Sequence, residues 1–382
     1  MNNNDEKINI NLSTIEFFLI VIICIIIGCG MTLFFIKPIN NKNNNIQNII
    51  ETYNMILNNY YEELDENKIV DGAIKGMLEA TKDPYTTFMG DEYDSFDITL
   101  NGEYEGLGIE VCYINQENII AGILSDSPAK EAGLQPGDII LSLDGKTMNL
   151  EEIANYIKSN IKDSFEITVK RNGEKLKFNM ARKKITLKSV WSKIYEKENK
   201  KIGYIYVSVF ARNTYTQFKN ELDNFKKQNI DSLILDLRDN SGGELDAVTD
   251  MISLFLNSDK VIYQIEDRDG NKKITHSKGN EDFMLPIAIL INGNTASASE
   301  VMVTALKENL DAKLVGTQTY GKGTVQYVLT ADNGSKYKMT TKKWLTPNGL
   351  YINKVGIEPD IKINLNSETD NQLENALKYL LK

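Results

Sequence analysis

Apolar residues recur along this chain at two different periods, and the change of period divides it into segments. Between Ile49 and Thr81, Ile50, Tyr53, Ile56 and Leu57, then Ile69, Ala73, Met77 and Leu78, fall at helical spacing. This predicts two helices, closed by a turn at Asp83-Pro84-Tyr85. From Gly102 to Lys184 the texture changes to short apolar strands broken by glycine turns. Gly106-Leu107-Gly108-Ile109-Glu110-Val111 opens one strand, and Ile119–Leu124 and Ile139–Leu143 give others. Phe165–Lys170 and Lys175–Met180 form a hairpin about Asn172-Gly173. Short helices are predicted from Ser127-Pro128-Ala129 and over Glu151–Ser159. In the remainder, Ser232–Leu237 and Ile287–Ile291 are uninterrupted apolar runs, the mark of strands buried on both faces. A helix over Ala298–Asn309 and a strand over Ala312–Val315 follow, and an amphipathic helix from Asp370 to Leu381 closes the chain's pattern. Strand, helix, strand at this spacing is a parallel crossover unit, so the class is α/β.

Phe17–Ile36 carries no charge, and about twenty apolar residues are what a helix needs to cross a bilayer. The acidic residues ahead of it and Lys37-Pro38 behind it fit a retained single-pass anchor better than a cleaved signal peptide. Asn40–Asn48 then reads as a flexible tether. The charge rule leaves orientation open, because large domains cross largely regardless of charge.

A net charge of -10 without a basic stripe argues against a nucleic-acid partner. Of three cysteines, Cys24 and Cys29 lie in the apolar run, so Cys112 alone offers neither a disulfide framework nor, with one histidine in the chain, a metal cluster. His276 stands among lysines in what reads as an exposed hairpin. No cofactor or metal is expected.

That scarcity of histidine bears on the chemistry. Parallel strands bring their carboxyl ends to one edge, where α/β proteins bind ligands. Three loops leave that edge: Arg238-Asp239-Asn240-Ser241-Gly242-Gly243, the segment carrying Ser297 into a helix start, and Tyr320-Gly321-Lys322-Gly323-Thr324. Ser297 is placed to attack a carbonyl, and Lys322 is the available base. An ordinary lysine titrates near about 10.4, so burial has to bring this one well down. Gln326, four residues on and alternating with Val325 and Tyr327, is positioned to orient the amine. The oxyanion needs backbone donors: the Ala298 amide and one from Gly242 or Gly243. Glu300 reads as a first-turn dipole or capping partner. A trypsin-like triad is excluded because the one histidine precedes Ser297 but follows the Asp239–Gly243 loop that would hold its serine. A phosphate-binding P-loop is excluded because Gly323 follows the lysine and a strand follows Gly323. The competing non-enzymatic reading is a tethered adaptor with an inert α/β scaffold.

Two resemblances extend this. Gly106-Leu107-Gly108-Ile109, Ser127-Pro128-Ala129-Lys130-Glu131-Ala132-Gly133-Leu134, Pro136-Gly137-Asp138-Ile139-Ile140 and Asp144-Gly145 together resemble a PDZ domain. Such a domain adds a peptide as an extra strand and holds its carboxylate on the glycine-loop amides. From Thr52 onward, Asp83-Pro84-Tyr85-Thr86-Thr87-Phe88-Met89, Leu235-Asp236-Leu237-Arg238 with its Gly-Gly, Ala296-Ser297-Ala298-Ser299-Glu300 and Gly321-Lys322-Gly323-Thr324-Val325-Gln326 resemble the carboxyl-terminal processing peptidases. The resemblance implies Ser297 as nucleophile, Lys322 as base and Gln326 in support. It implies protein or peptide substrates with accessible C-termini, bound through Gly106, Leu107, Gly108 and Ile109, with the PDZ domain gating access. It also points to a homodimer through the segment around residues 50–98 and to action outside the cytoplasmic membrane. The expected architecture is a mixed α/β serine-protease core with a PDZ domain in inserted order, an N-terminal helical segment and a single transmembrane helix. The boundaries are 1–37 for the stub and membrane helix, 38–48 for the tether, 49–98 for the helical segment, 99–184 for the PDZ domain and 185–382 for the peptidase core. The lipid bilayer is thus an expected partner.

Overall fold

A computed structural model describes residues 44–90, 93–160, 164–279, 283–366 and 368–382, with scattered positions between 13 and 27. The chain divides into two units at Ala80. In the first, helices Asn44–Asn59 and Glu66–Glu79 match the apolar spacing. Asp65 caps the second, its carboxylate accepting from the Asn67 and Lys68 N–H groups.

The expected membrane helix needs correction. Among the described residues no helix is long and apolar enough to cross a membrane. The longest unbroken helical stretch described within Phe17–Ile36 is 21–25, far short of a span, and most of that segment lies outside the described residues. The single-pass anchor, the bilayer partner and the membrane localisation built on it therefore have no support here.

In the second unit a six-stranded sheet runs in the order Ile361–Lys362, Lys313–Gly316, Ile287–Ile291, Ser232–Asp236, Lys200–Val207, Val190–Lys197. All neighbours are parallel except the last pair. Alternation along the apolar runs splits the core in two. Leu233, Leu235, Ile287 and Ile289 face helices Thr214–Lys227, Leu245–Ser253 and Ala298–Leu310. Ile234, Ala288 and Leu290 face helix Asn371–Leu381 through Ala376, Leu377 and Leu380. Burial on both faces is why these strands carry no polar alternation. A second, antiparallel sheet joins Thr87–Phe88, Thr324–Thr330, Lys336–Leu345, Val261–Glu266 and Lys272–His276. His276 ends its last hairpin, exposed as expected.

The segment between the sheets folds as a five-stranded antiparallel meander in chain order, Ile109–Ile114 to Glu174–Met180. Its core holds Leu107, Ile120, Leu143, Ile153, Phe165 and Val169. Ile109–Ile114 is an edge strand, so one side of its backbone is unpaired. A two-stranded ribbon, Glu103–Gly106 with Lys183–Thr186, carries the chain into and out of this domain.

Candidate active site

The parallel core brings the three predicted loops to one edge. Ser297 follows the Ile287–Ile291 strand and opens helix Ala298–Leu310 with φ 56° and ψ −119°. A side chain with a Cβ is strained there by about 1–3 kcal/mol, a feature that marks nucleophile turns between strand and helix. Serine stays half-buried at that point while Ala296, Ala298 and Ser299 on either side are buried.

The glycine loop presses directly on it. A Cβ on Gly242 would lie 2.9 Å from Ser297 Cβ and 3.1 Å from the Ala298 nitrogen. The two glycines are not equivalent as donors. Gly242 N–H donates to Asn240 Oδ1 at 2.9 Å. Among the described residues no backbone acceptor takes the Gly243 or Ala298 amide. Gly243, next to the glycine that meets Ser297, and Ala298 are therefore the two candidate donors whose amides have no backbone acceptor among the described residues.

Lys322 is half-buried between the end of strand Lys313–Gly316 and the start of Thr324–Thr330. Its backbone is fixed: the carbonyl accepts from Trp344 Nε1 at 2.8 Å, and the neighbouring Gly321 carbonyl accepts from the Lys354 N–H at 2.8 Å. The amine sits 4.4 Å from the centre of the Tyr85 ring. Burial, and then the nearby Lys338 charge, bring its pKa down to about 8, against the opposing pull of Asp83 and Glu300. Tyr85 is itself pushed up, by burial and by its hydrogen bond with Tyr320, and stays a neutral phenol. Among the described residues no hydrogen bond joins Lys322 Nζ to Ser297 or to Gln326. The Gln326 amide donates instead to Thr324 Oγ1 and Thr340 Oγ1, both at 2.9 Å.

What joins the Ser297 loop to the Lys322 loop is Glu300, which is 0 % exposed. Its Oε2 accepts from the Ser297 and Lys322 N–H groups, both at 2.9 Å. Its Oε1 accepts from Thr319 Oγ1 at 2.6 Å and Gly321 N–H at 2.7 Å. Capping accounts for one of these four bonds. The other three cross to a loop some twenty residues away in sequence, which nothing in the local Ser-x-x-Glu pattern announces. Asp83 and Tyr85, expected as a turn and part of the family resemblance but given no site role, also reach this site: Thr86 Oγ1 donates to Asp83 at 2.7 Å and accepts the Thr340 N–H at 3.1 Å.

A serine in a strained strand-to-helix turn, a half-buried lysine and a glycine loop are together chemically able to carry acyl transfer. The family model described as Peptidase family S41 matches residues 201–363. Carboxy-terminal processing protease CtpA of Bacillus subtilis (strain 168) is 33% identical over 364 residues, covering 92% of this chain and 78% of its own. The chain belongs to peptidase family S41. It is a serine peptidase of the carboxy-terminal processing type. Carboxy-terminal processing protease CtpB of the same organism is 36% identical over 326 residues, covering 82% of this chain and 67% of its own. Residues 119–171 match a PDZ domain, and residues 36–93 match the N-terminal domain of the activating protease CtpB. Among solved structures, a photosystem II D1 C-terminal processing protease superposes with a TM-score of 0.52 at 26% identity, covering 90% of this chain and 93% of that one. The α/β protease core with a PDZ domain is thus the family's, and protein substrates follow from it.

Proposed function

We propose that this S41 peptidase cleaves polypeptides by attack of Ser297 on the scissile carbonyl, with Lys322 as the base and protein substrates delivered by their C-terminal tails. The observation that carries the reading is Lys322, a half-buried lysine brought down to about 8 in a loop tied to the Ser297 loop through one carboxylate. Neutral amine takes the Ser297 proton as the tetrahedral adduct forms, then returns it to the leaving nitrogen. The Gly243 and Ala298 amides hold the oxyanion. Gln326 acts on the amine only after its amide turns from Thr324 and Thr340. Catalytic hydrogen bonds are often long before substrate is bound and tighten in the complex, so the lack of a Ser297–Lys322 hydrogen bond among the described residues is compatible with this role.

Tail recruitment is supported by the edge strand Ile109–Ile114 and the loop Gly106-Leu107-Gly108-Ile109. The Leu107 and Gly108 carbonyls accept from the Ala129 and Leu124 N–H groups, while among the described residues their amides have no backbone acceptor. Ile109 and Val111 of the strand pack in one apolar cluster with Ile153, Tyr156 and Ile157 of helix Leu150–Ser159, the two elements between which an added tail strand would lie.

The test is a peptide assay with the full chain, using a quenched substrate that ends in a free carboxylate, together with labelling by a fluorophosphonate. Cleavage, with label on Ser297, is expected. Binding of the tail without cleavage or label would instead favour the adaptor. A second expected result is the pH profile: kcat/KM should rise with pH to a plateau, with a midpoint near 8, as the amine loses its proton. A midpoint near an ordinary lysine's value would remove Lys322 as the base.

A further inference from the structure

The ribbon that carries the PDZ domain and the loop that carries Gly243 are fastened to the same four residues, Phe210–Asn213. On the ribbon side, Asn213 Nδ2 donates to the Gly102 carbonyl at 2.6 Å and to the Leu187 carbonyl at 3.4 Å. Gly102 lies just before the strand that enters the domain, and Leu187 just after the strand that leaves it. The Arg212 N–H donates to the Leu100 carbonyl at 2.8 Å, and Arg212 Nη1 to Asn101 Oδ1 at 2.6 Å. On the loop side, the Phe210 N–H donates to the Gly242 carbonyl at 2.9 Å, and its carbonyl accepts the Glu244 N–H at 2.6 Å. Arg212 Nε reaches Glu244 Oε1 at 3.3 Å. Gly243 thus sits between two bonds to one residue.

Close approach enforces both attachments. A Cβ on Gly102 would come within 2.2 Å of Asn213 Oδ1, and one on Gly243 within 2.1 Å of the Phe210 oxygen. The four residues themselves are well anchored: Phe210 and Ala211 are buried, and the Ala211 N–H donates to the buried Thr214 hydroxyl at 2.9 Å. A close-packed segment passes a displacement on rather than absorbing it. A shift of about 1 Å at a catalytic donor costs on the order of 100-fold in rate.

We propose that Arg212 and Asn213 are positioning residues that couple the seating of the PDZ domain to the placement of the Gly243 amide. A bound tail is then read at the oxyanion loop. This rests on the dyad and tail-recruitment reading above.

The test compares the full chain with Asn213→Asp, which replaces the donor facing two carbonyls by an acceptor, and with Arg212→Gln. The Arg212 side chain is 63% exposed, so its loss leaves the fold intact. Each protein is given one peptide with a free C-terminal carboxylate and the same peptide with an amidated end. Tail affinity is followed separately by fluorescence anisotropy of a labelled, uncleavable peptide. Wild type should turn over the free-acid peptide faster. Asn213→Asp should lose roughly 10–100-fold in kcat on it, and Arg212→Gln, breaking an exposed pair, roughly 3–5-fold. Tail affinity should stay within about twofold of wild type in both, a split that plain loss of structure does not give. A tail-dependent wild type whose two variants match it overturns the coupling alone, as does an affinity loss equal to the rate loss. A wild type that cleaves but ignores the amidation overturns tail recruitment and the coupling with it; one that cleaves nothing overturns the dyad as well.

Discussion

Replacing Lys322 with methionine should abolish cleavage, by about 10⁴-fold or more, and at the same time make the folded protein more stable at neutral pH. In the proposed mechanism, loss of Lys322 removes the step that generates the nucleophile, and triad-type sites lose that much when one member is deleted. The stability gain comes from the same burial that lowers the Lys322 pKa. Lys322 is held down to about 8 in the fold, against 10.5 for the ordinary side chain. Below pH 8 the amine is charged in both states, and the folded one carries the full cost of burying it. Between 8 and 10.5 the folded protein releases its proton while the unfolded chain keeps it, so stability rises with pH through that window. Methionine keeps the apolar stem and removes the charge. Its advantage should be on the order of 1–2 kcal/mol at pH 7, allowing for partial exposure, and should shrink as the pH nears 10. Melting curves at pH 7 and 9.5, with the peptide assay alongside, decide it. A lower melting temperature at pH 7, or residual turnover with the wild-type pH profile, would count against Lys322 as a strained base.

How far the site could be read from residues depends on how local each contact is. The core strands were legible because burial on both faces leaves runs such as Ile287–Ile291 with no polar position at all. Ser297 and Lys322 stand out as candidates in the sequence because a chain with one histidine leaves few ways to deprotonate a serine. The choice between Gly242 and Gly243 was legible in principle: Asn240 takes the amide two residues ahead, a turn its side chain commonly makes. Gln326 is a different case. Alternation along Thr324–Thr330 set its side, but one of its hydroxyl partners, Thr340, comes from a neighbouring strand that local pattern does not bring near. The apolar run over Phe17–Ile36 shows the limit in the other direction: its composition predicts a spanning helix, yet among the described residues no helix is long and apolar enough to cross a membrane.

Glu300→Gln is the substitution expected to harm both halves of the site at once. The carboxylate offers two oxygens, and each accepts two bonds, so four donors converge on a fully buried group. Glutamine has the same shape but only one acceptor oxygen. Whichever way its amide turns, an NH₂ group faces two donors, and each buried donor left unpaired costs about 1–3 kcal/mol. With the amide toward Ser297 and Lys322, the two N–H groups that register nucleophile against base are pushed apart. With it toward Thr319 and Gly321, the Lys322 loop loosens instead. Either outcome moves reacting groups by enough to cost on the order of 100-fold in kcat, while substrate affinity, set elsewhere, stays near wild type. A purely structural loss would stop there. Glu300 also raises the Lys322 pKa by its charge, so its removal should move the midpoint of the pH–rate profile below that of the parent enzyme, even as the maximal rate falls. Single-turnover cleavage measured from pH 6 to 10 gives both quantities. Unchanged kcat, or a midpoint displaced upward, would mean that the carboxylate neither registers the two loops nor acts on the base.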